Sequence, residues 1–323
     1  MNIAIVGFDF PDCGLESRMC QEAGISTRRY DGKSPEYIIE HVRNADGVIS
    51  SYGEFTDEVI SALSGRLKVI SRTGTGYDEI DVNSATKHGV AVCNVPGYGT
   101  EVVSDHAIAL ALACLRRINE QDAAIRAGSW GYEPTRPLGQ CKGRTFGVIG
   151  MGAIGSAVAR KAKGMGFNVV CWSRSLAPGA FTCEGFRVVE LDELAQTCDV
   201  ISLHTALTEE TRHLVDERLI SLMSPRTVIV NTSRGAVIDT AALSAALEEG
   251  RLWGAGLDVF EEEPVSRTDP ILRAPHTVLT PHAAYWSEES GVELRTRACR
   301  AAIDVLTGKA SRNCLNPEVL AFD

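Results

Sequence analysis

The 323-residue sequence is short of positive charge: 32 Lys and Arg stand against 42 Asp and Glu, a net charge of −10. Affinity for nucleic acid comes largely from basic contacts to phosphates, so a general nucleic-acid binder is excluded. An anionic substrate is not, because one positive pocket can sit on an acidic protein. Long apolar runs are also missing. No stretch approaches the ~20 residues of a membrane span. No charged head with a long apolar segment precedes the first expected strand, Ile3–Val6, so neither a membrane partner nor secretion is expected. The ten cysteines include no CxxC pair, and no His/Cys/Asp spacing resembles a metal site. Several, such as Cys93, Cys114 and Cys171, fall inside apolar strands or helices, where cysteine behaves as a small hydrophobe. A cytoplasmic protein with reduced thiols is the expectation. No low-complexity segment or short repeat occurs. With 44% apolar and 23% charged residues, the composition is that of a globular protein long enough for two domains.

What is present begins with a repeat of strand, turn and helix. Strands are expected at Ile3–Val6, Gly47–Ser50, Lys68–Ser71 and Val90–Asn94, with helices over Leu15–Ala23, Pro35–Val42, Thr56–Leu63 and Val82–His88. Short, nearly all-apolar strands alternating with helices imply a parallel sheet covered on both faces. A long helix over Glu101–Ile118 carries Val103, Ala107, Leu110 and Cys114 on one face and Ile108, Leu112 and Leu115 on another. Apolar on most sides, it must be buried all round, between domains or against another subunit. Gly97-Tyr98-Gly99 before it reads as a hinge. Six further strands follow, at Phe146–Ile149, Asn168–Trp172, Val200–Leu203, Thr227–Asn231, Ala255–Val259 and Val278–Thr280, and a final helix over Glu288–Thr307. The fold class is therefore α/β with two doubly wound parallel-sheet domains.

The most informative stretch is Gly150-Met151-Gly152-Ala153-Ile154-Gly155, between the strand Phe146–Ile149 and a helix over Ala153–Met165. The first glycine allows a tight turn off the strand. The second lets backbone N–H groups approach a pyrophosphate, and the third lets helix and strand pack closely. A lone glycine pattern is weak, but here the flanking strand and helix it requires are both present. The helix N-terminus then offers free N–H groups and a positive dipole end to an anion. A dinucleotide cofactor is expected.

In open α/β sheets ligands lie beyond the carboxyl ends of the strands. Three strand ends carry polar residues suited to chemistry. Arg234 follows Thr227–Asn231, the run Glu261-Glu262-Glu263 follows Ala255–Val259, and His282 follows Val278–Thr280. An arginine holds a carboxylate and a neighbouring carbonyl in a fork of hydrogen bonds. A histidine can pass the proton that accompanies hydride transfer. A carboxylate behind an imidazole orients the ring and favours its charged form. Each has a plainer reading: Arg234 as a surface loop residue, the glutamates as a solvated run, His282 as a strand cap. Their occurrence at three consecutive strand ends points instead to reduction of a 2-oxo acid. Of the other histidines, His88 and His213 are expected on helix surfaces and His106 within the long helix.

Several motifs together resemble the D-isomer-specific 2-hydroxyacid dehydrogenases, and among them the C-terminal-binding-protein branch. They are Arg72-Thr73-Gly74-Thr75-Gly76-Tyr77-Asp78, Cys93-Asn94-Val95-Pro96, the Gly150–Gly155 loop, Asn231-Thr232-Ser233-Arg234-Gly235, Leu257-Asp258-Val259-Phe260, Glu263-Pro264, Pro281-His282-Ala283-Ala284 and the tail Arg312-Asn313-Cys314-Leu315-Asn316. The resemblance covers essentially the whole chain. It implies Arg234 as the substrate-orienting arginine and His282 as proton donor, and it selects Glu263 as the partner of His282. It implies that backbone N–H groups at Thr75 and Gly76 hold the substrate carboxylate, with Arg72 and Tyr285 as further substrate contacts. Tyr52, at the end of an early strand, is expected either to line the same pocket or to serve in packing. Tyr285 stands where that branch has a tryptophan. Thr205, Thr211, Thr232 and Asp258 match the nicotinamide side of the cofactor site, and Ser233 and Ala284 join the cofactor-binding residues. The implied layout is a flavodoxin-like substrate domain of residues 1–99 and 284–323 and a Rossmann cofactor domain of residues 100–283, the latter pairing in a homodimer. Glyoxylate and hydroxypyruvate are the expected substrates.

Two departures stand out. Ala206 replaces a common proline. Ser173 and Arg174 end the strand Asn168–Trp172, where an aspartate that accepts from the adenosine ribose 2′-hydroxyl is usual. Serine carries no charge, and Arg174 can pair with a 2′-phosphate. No acidic residue follows until Glu184, so no local substitute for the aspartate is expected, and NADP is expected to be preferred over NAD. The branch also contains dinucleotide-sensing corepressors. The chain is little more than the two expected domains, which favours an enzyme over that alternative.

Overall fold

Runs such as Val48-Ile49 and Val228-Ile229-Val230 are fully buried, and strands of this kind belong in the middle of parallel sheets with both faces covered. The computed structural model, which describes residues 1–320, contains two such sheets, of five and seven strands, with every pairing between strands parallel. The chain divides into unit 1, Met1–Tyr98 with Ser287–Asp323, and unit 2, Gly99–Trp286.

Unit 1 runs β1 (Asn2–Val6), α1 (Gly14–Glu22), β2 (Ser26–Tyr30), α2 (Pro35–Val42), β3 (Gly47–Ser50), α3 (Asp57–Leu63), β4 (Val69–Arg72), α4 (Val82–Lys87) and β5 (Ala91–Cys93). The strand order β2-β1-β3-β4-β5 is the flavodoxin-like one. Ser34, Thr56 and Asp81 cap α2, α3 and α4 by accepting from backbone N–H groups three residues on, which satisfies donors the helix leaves open. Strand β2 was not expected. Its sequence, Ser26-Thr27-Arg28-Arg29-Tyr30, lacks an apolar run because it lies on the sheet edge and pairs with β1 alone. The last long helix of the chain, residues Glu288–Leu306, closes unit 1 against α1, β3 and β4. Its start is fixed by reciprocal bonds between Ser287 and Ser290, a capping box.

Unit 2 runs α5 (Thr100–Arg116), α6 (Ile118–Arg126), β6 (Thr145–Ile149), α7 (Ala153–Gly164), β7 (Asn168–Trp172), β8 (Arg187–Val188), α8 (Leu191–Thr197), β9 (Val200–Leu203), α9 (Glu217–Ser221), β10 (Val228–Asn231), α10 (Thr240–Glu248), β11 (Gly254–Leu257) and β12 (Thr277–Leu279), and Glu288–Leu306 of unit 1 is α11. The order β12-β11-β10-β9-β6-β7-β8 is a dinucleotide-binding order with one strand added, and its switch point falls between β6 and β9. The expected long helix stops earlier, because Arg117 turns left-handed at φ 48° and the chain restarts as α6. Ala107, Leu110 and Cys114 of α5 are buried, and the helix packs against β10, β11 and α7. Ile108 and Leu112 are only half-buried and Ala109 is exposed, so burial all round is not reached within the described residues.

Register decides what the strand ends share. Trp172 pairs with Ile149, Ile149 with Leu203, Leu203 with Asn231, Asn231 with Leu257, and Leu257 with Leu279. The next residues of all six strands therefore emerge abreast along one edge of the sheet.

Candidate active site

At the centre of that edge is the glycine loop between β6 and α7. Gly150 has φ +96°, and a Cβ there would meet the His204 carbonyl oxygen at 2.6 Å. A Cβ on Gly155 would run into the Gly150 carbonyl, so only glycine lets helix and strand approach this closely. At Gly152 a Cβ would meet nothing within 4 Å, and no side chain caps α7. The helix N-terminus is left open to an anion. A cavity of about 440 Å³ adjoins it, lined by Gly150, Met151, Gly152, Trp172, Ser173, Arg174, Ser175, Thr205 and Ala206.

These residues fit a pyridine nucleotide on two structural observations. The first is the glycine cradle. The second is a pair of buried hydroxyls, Thr205 Oγ1 and Thr232 Oγ1, that have no hydrogen-bond partner and so invite one from a ligand. Thr211 is different: its buried hydroxyl already donates to the Ala206 carbonyl at 2.7 Å and accepts from Thr208 N–H. Ser233 Oγ likewise donates to Asn231 Oδ1 at 2.8 Å. His204, which sequence reasoning did not single out, is half-buried and bonded to Ser202 Oγ at 2.8 Å. Burial pushes its pKa down to about 3, so it stays neutral.

Farther along the edge, His282 Nδ1 lies 2.6 Å from Glu263 Oε2. Glu263 also accepts from Phe260 N–H at 3.0 Å. Burial alone would raise the Glu263 pKa, but the His282 hydrogen bond and charge, the Phe260 N–H and the Arg234 charge together hold it below the usual carboxylate value. With Nδ1 engaged, the other ring nitrogen of His282 is the one left for proton transfer. Tyr285 meets the His282 ring edge-on, centroids 6.2 Å apart. His282 adopts a left-handed φ of 52°, held by its N–H bond to the Asp258 carbonyl at 2.7 Å. The buried Asp258 carboxylate organises the rest of this turn, accepting from Ala283 N–H, Ala284 N–H and Thr280 Oγ1 at 2.9, 2.8 and 2.5 Å. Arg234 opens a short 3-10 turn whose Gly235 packs so closely that a Cβ would strike the Phe260 and Glu261 backbone. That contact ties the arginine loop to the glutamate loop. Glu261 is used differently from Glu263, binding His213 Nε2 and Thr240 N–H, both at 2.9 Å. His213 is thus a loop residue with φ 51° rather than part of a helix surface. His106 of α5 is partly exposed and bonds Thr280 Oγ1 at 3.0 Å.

In unit 1, Arg72 ends β4 with its guanidinium 5.6 Å from the Tyr52 ring centroid. Its Nη1 donates to the Thr73 carbonyl at 2.6 Å, while its buried Nε has no partner. The turn after it is pinned at Thr75: Asn94 Nδ2 donates to the Thr75 carbonyl at 2.7 Å, and Thr75 Oγ1 donates to the Val95 carbonyl at 3.1 Å. Thr75 is exposed and Gly76 half-buried.

Residues 108–284 match the family described as D-isomer specific 2-hydroxyacid dehydrogenase, NAD binding domain. The chain belongs to this dehydrogenase family. Glyoxylate reductase of Korarchaeum cryptofilum is 40% identical over 291 residues, covering 89% of this chain and 87% of that protein. The solved structure of an acyclic imino acid reductase in complex with NADPH and D-Arg superposes with a TM-score of 0.88 and 30% identity, covering 98% of this chain and all of that one. D-Lactate dehydrogenase from Aquifex aeolicus, complexed with NAD and lactic acid, gives a TM-score of 0.87 at 28% identity, covering 98% and 99%. The dehydrogenase is an NAD(P)-dependent oxidoreductase of 2-oxo and 2-hydroxy acids. Among its described residues no helix is long and apolar enough to cross a membrane.

Proposed function

We propose that the chain reduces a small 2-oxo acid, glyoxylate or hydroxypyruvate, to the D-2-hydroxy acid, with NADPH preferred over NADH. The observation that carries this reading is the 2.6 Å His282–Glu263 pair, with the Arg234 charge beside it. The reduced nicotinamide, when bound, supplies the hydride. Arg234 orients the substrate through its carboxylate and carbonyl oxygens. The His282 ring nitrogen opposite Nδ1 gives its proton to the carbonyl oxygen as the carbonyl carbon is reduced, and Glu263 stabilises the imidazolium before that step. The proton on His282 is then restored from water. Arg72, Tyr52 and the Thr75–Gly76 N–H groups of unit 1, with Tyr285, contact the substrate. Thr205, Thr232 and Ser233 face the nicotinamide. Asp258 and Thr211, already engaged by protein groups, act there by fixing the backbone. A screen of 2-oxo acids with NADPH and NADH, with and without an added amine, tests this reading. Turnover only when an amine is present would replace it with imine reduction. Nucleotide binding without turnover of any acid would favour the sensing role suggested by the branch-like tail Arg312–Asn316.

The cofactor preference rests on Ser173 and Arg174 at the cavity wall. Arg174→Ala is expected to lower kcat/KM with NADPH about tenfold, the scale of one charge-assisted contact, and to leave NADH nearly unchanged. Equal losses with both nucleotides would give Arg174 a structural role instead. We also infer a homodimer through unit 2 and a cytoplasmic location. The first is supported by exposed apolar side chains in and just after α6, with Ile118 52%, Ile125 51% and Trp130 94% exposed. The second is supported by ten cysteines that are all free. Ile125→Asp with Trp130→Asp is expected to halve the mass measured by light scattering. An unchanged mass places the interface elsewhere.

A further inference from the structure

The structure supplies the acidic residue that is absent after β7, but from a different loop. Glu210, 36 positions beyond Arg174, places Oε2 3.3 Å from the Arg174 guanidinium. It is a held side chain: Thr208 Oγ1 donates to Glu210 Oε2 at 2.7 Å, and this bond is the main reason its pKa lies below the usual carboxylate value. Thr208 is itself anchored. Its N–H bonds Thr211 Oγ1 at 2.7 Å, and that buried hydroxyl is tied to the Ala206 carbonyl. Ala206 and Thr205, at the start of the same loop, line the cavity together with Ser173, Arg174 and Ser175. A fixed, ionised carboxylate therefore stands at the group that would receive a 2′-phosphate.

We propose that Glu210 is a specificity-determining residue: it pairs with Arg174 and competes with the 2′-phosphate for it, so the Arg174–Glu210 pair, not Arg174 alone, sets the choice between NADP and NAD. This rests on the reading of Arg174 as the ribose-side cation. Arg174 is half exposed and can leave Glu210 for a phosphate. Doing so gives up the ion pair and leaves Glu210 facing a dianion. A nucleotide with a bare 2′-hydroxyl meets neither cost. The competition is between exposed charges, so it is modest and weakens with salt.

The test is calorimetric and needs no turnover: adenosine 2′,5′-bisphosphate and AMP are titrated into the wild type, Glu210→Gln, Arg174→Ala and the double variant. Glu210→Gln is expected to tighten the bisphosphate about two- to fivefold, the range of an exposed ion pair, and to leave AMP unchanged. The gain should shrink at high salt and vanish in the Arg174→Ala background. Equal changes for both ligands, or no change, overturn the proposal. A gain that persists without Arg174 also overturns it, since Glu210 would then act without the pair. Failure of the underlying reading looks different: Arg174→Ala would weaken both ligands equally. If Arg174→Ala weakens the bisphosphate alone while Glu210→Gln does nothing, the reading stands and only the Glu210 proposal falls.

Discussion

Replacing His282 with alanine is expected to lower turnover about 10²–10⁴-fold, the usual contribution of a positioned general acid, while nucleotide affinity stays near that of the wild type. The two readouts separate because the groups separate in the fold. His282 follows β12, held through the Asp258 hub, whereas the glycine cradle belongs to the β6–α7 turn. The measurement pairs a steady-state assay with a nucleotide titration on the same protein. Near-normal turnover would remove His282 from the mechanism. Loss of nucleotide binding together with turnover would mean that the side chain supports the turn rather than the chemistry. His282→Asn distinguishes these cases, since it keeps a polar group near Glu263 and cannot deliver the proton.

The second large effect is on stability. Glu16 in α1 is fully buried, and Arg295 in α11 meets it with two bonds, Nε to Oε1 at 2.8 Å and Nη2 to Oε2 at 2.7 Å. The guanidinium also lies 5.0 Å from the Phe10 ring centroid and 5.7 Å from that of Phe8, and that apolar lining removes water from the pair. Arg295→Met leaves a buried carboxylate with no counter-charge and is expected to cost about 3–5 kcal/mol, read as a drop in the urea midpoint. Adding Glu16→Met should recover most of that loss, because removing both charges also removes their desolvation penalty. If the single replacement costs less than about 1 kcal/mol, water reaches the site and the pair behaves as a surface one. The double variant then adds nothing, and the α1–α11 contact rests on its apolar residues.

What the sequence determined by itself was whatever local periodicity records. Buried central strands are apolar on both faces, so Val48-Ile49 and Val228-Ile229-Val230 could be read one residue at a time. Two of the four edge strands, β2 and β8, could not. Half of each is open, one is polar and the other two residues long, and neither has the apolar run that signals a strand. The glycine loop was equally legible, since its three glycines fall within six residues between a strand and a helix, although the carbonyl that Gly150 must clear belongs to His204. Arg234 and His282 stood out because a strand end is a place along the chain as well as in space.

Tertiary structure alone decided which side chains meet across loops. The spacing of Glu261, Glu262 and Glu263 does not say which one faces His282. In the fold Glu263 takes the histidine while Glu261 is spent on His213 and Thr240. No local rule joins Glu210 to Arg174 or assigns Asp258 to the backbone of Ala283 and Ala284, because those contacts depend on how separate strands are registered. The same register leaves the hydroxyls of Thr205 and Thr232 buried without partners. Sequence pattern reports burial against an element's own neighbours, whereas hydrogen-bond and ion-pair partners are chosen by three-dimensional placement at distances of about 3 Å.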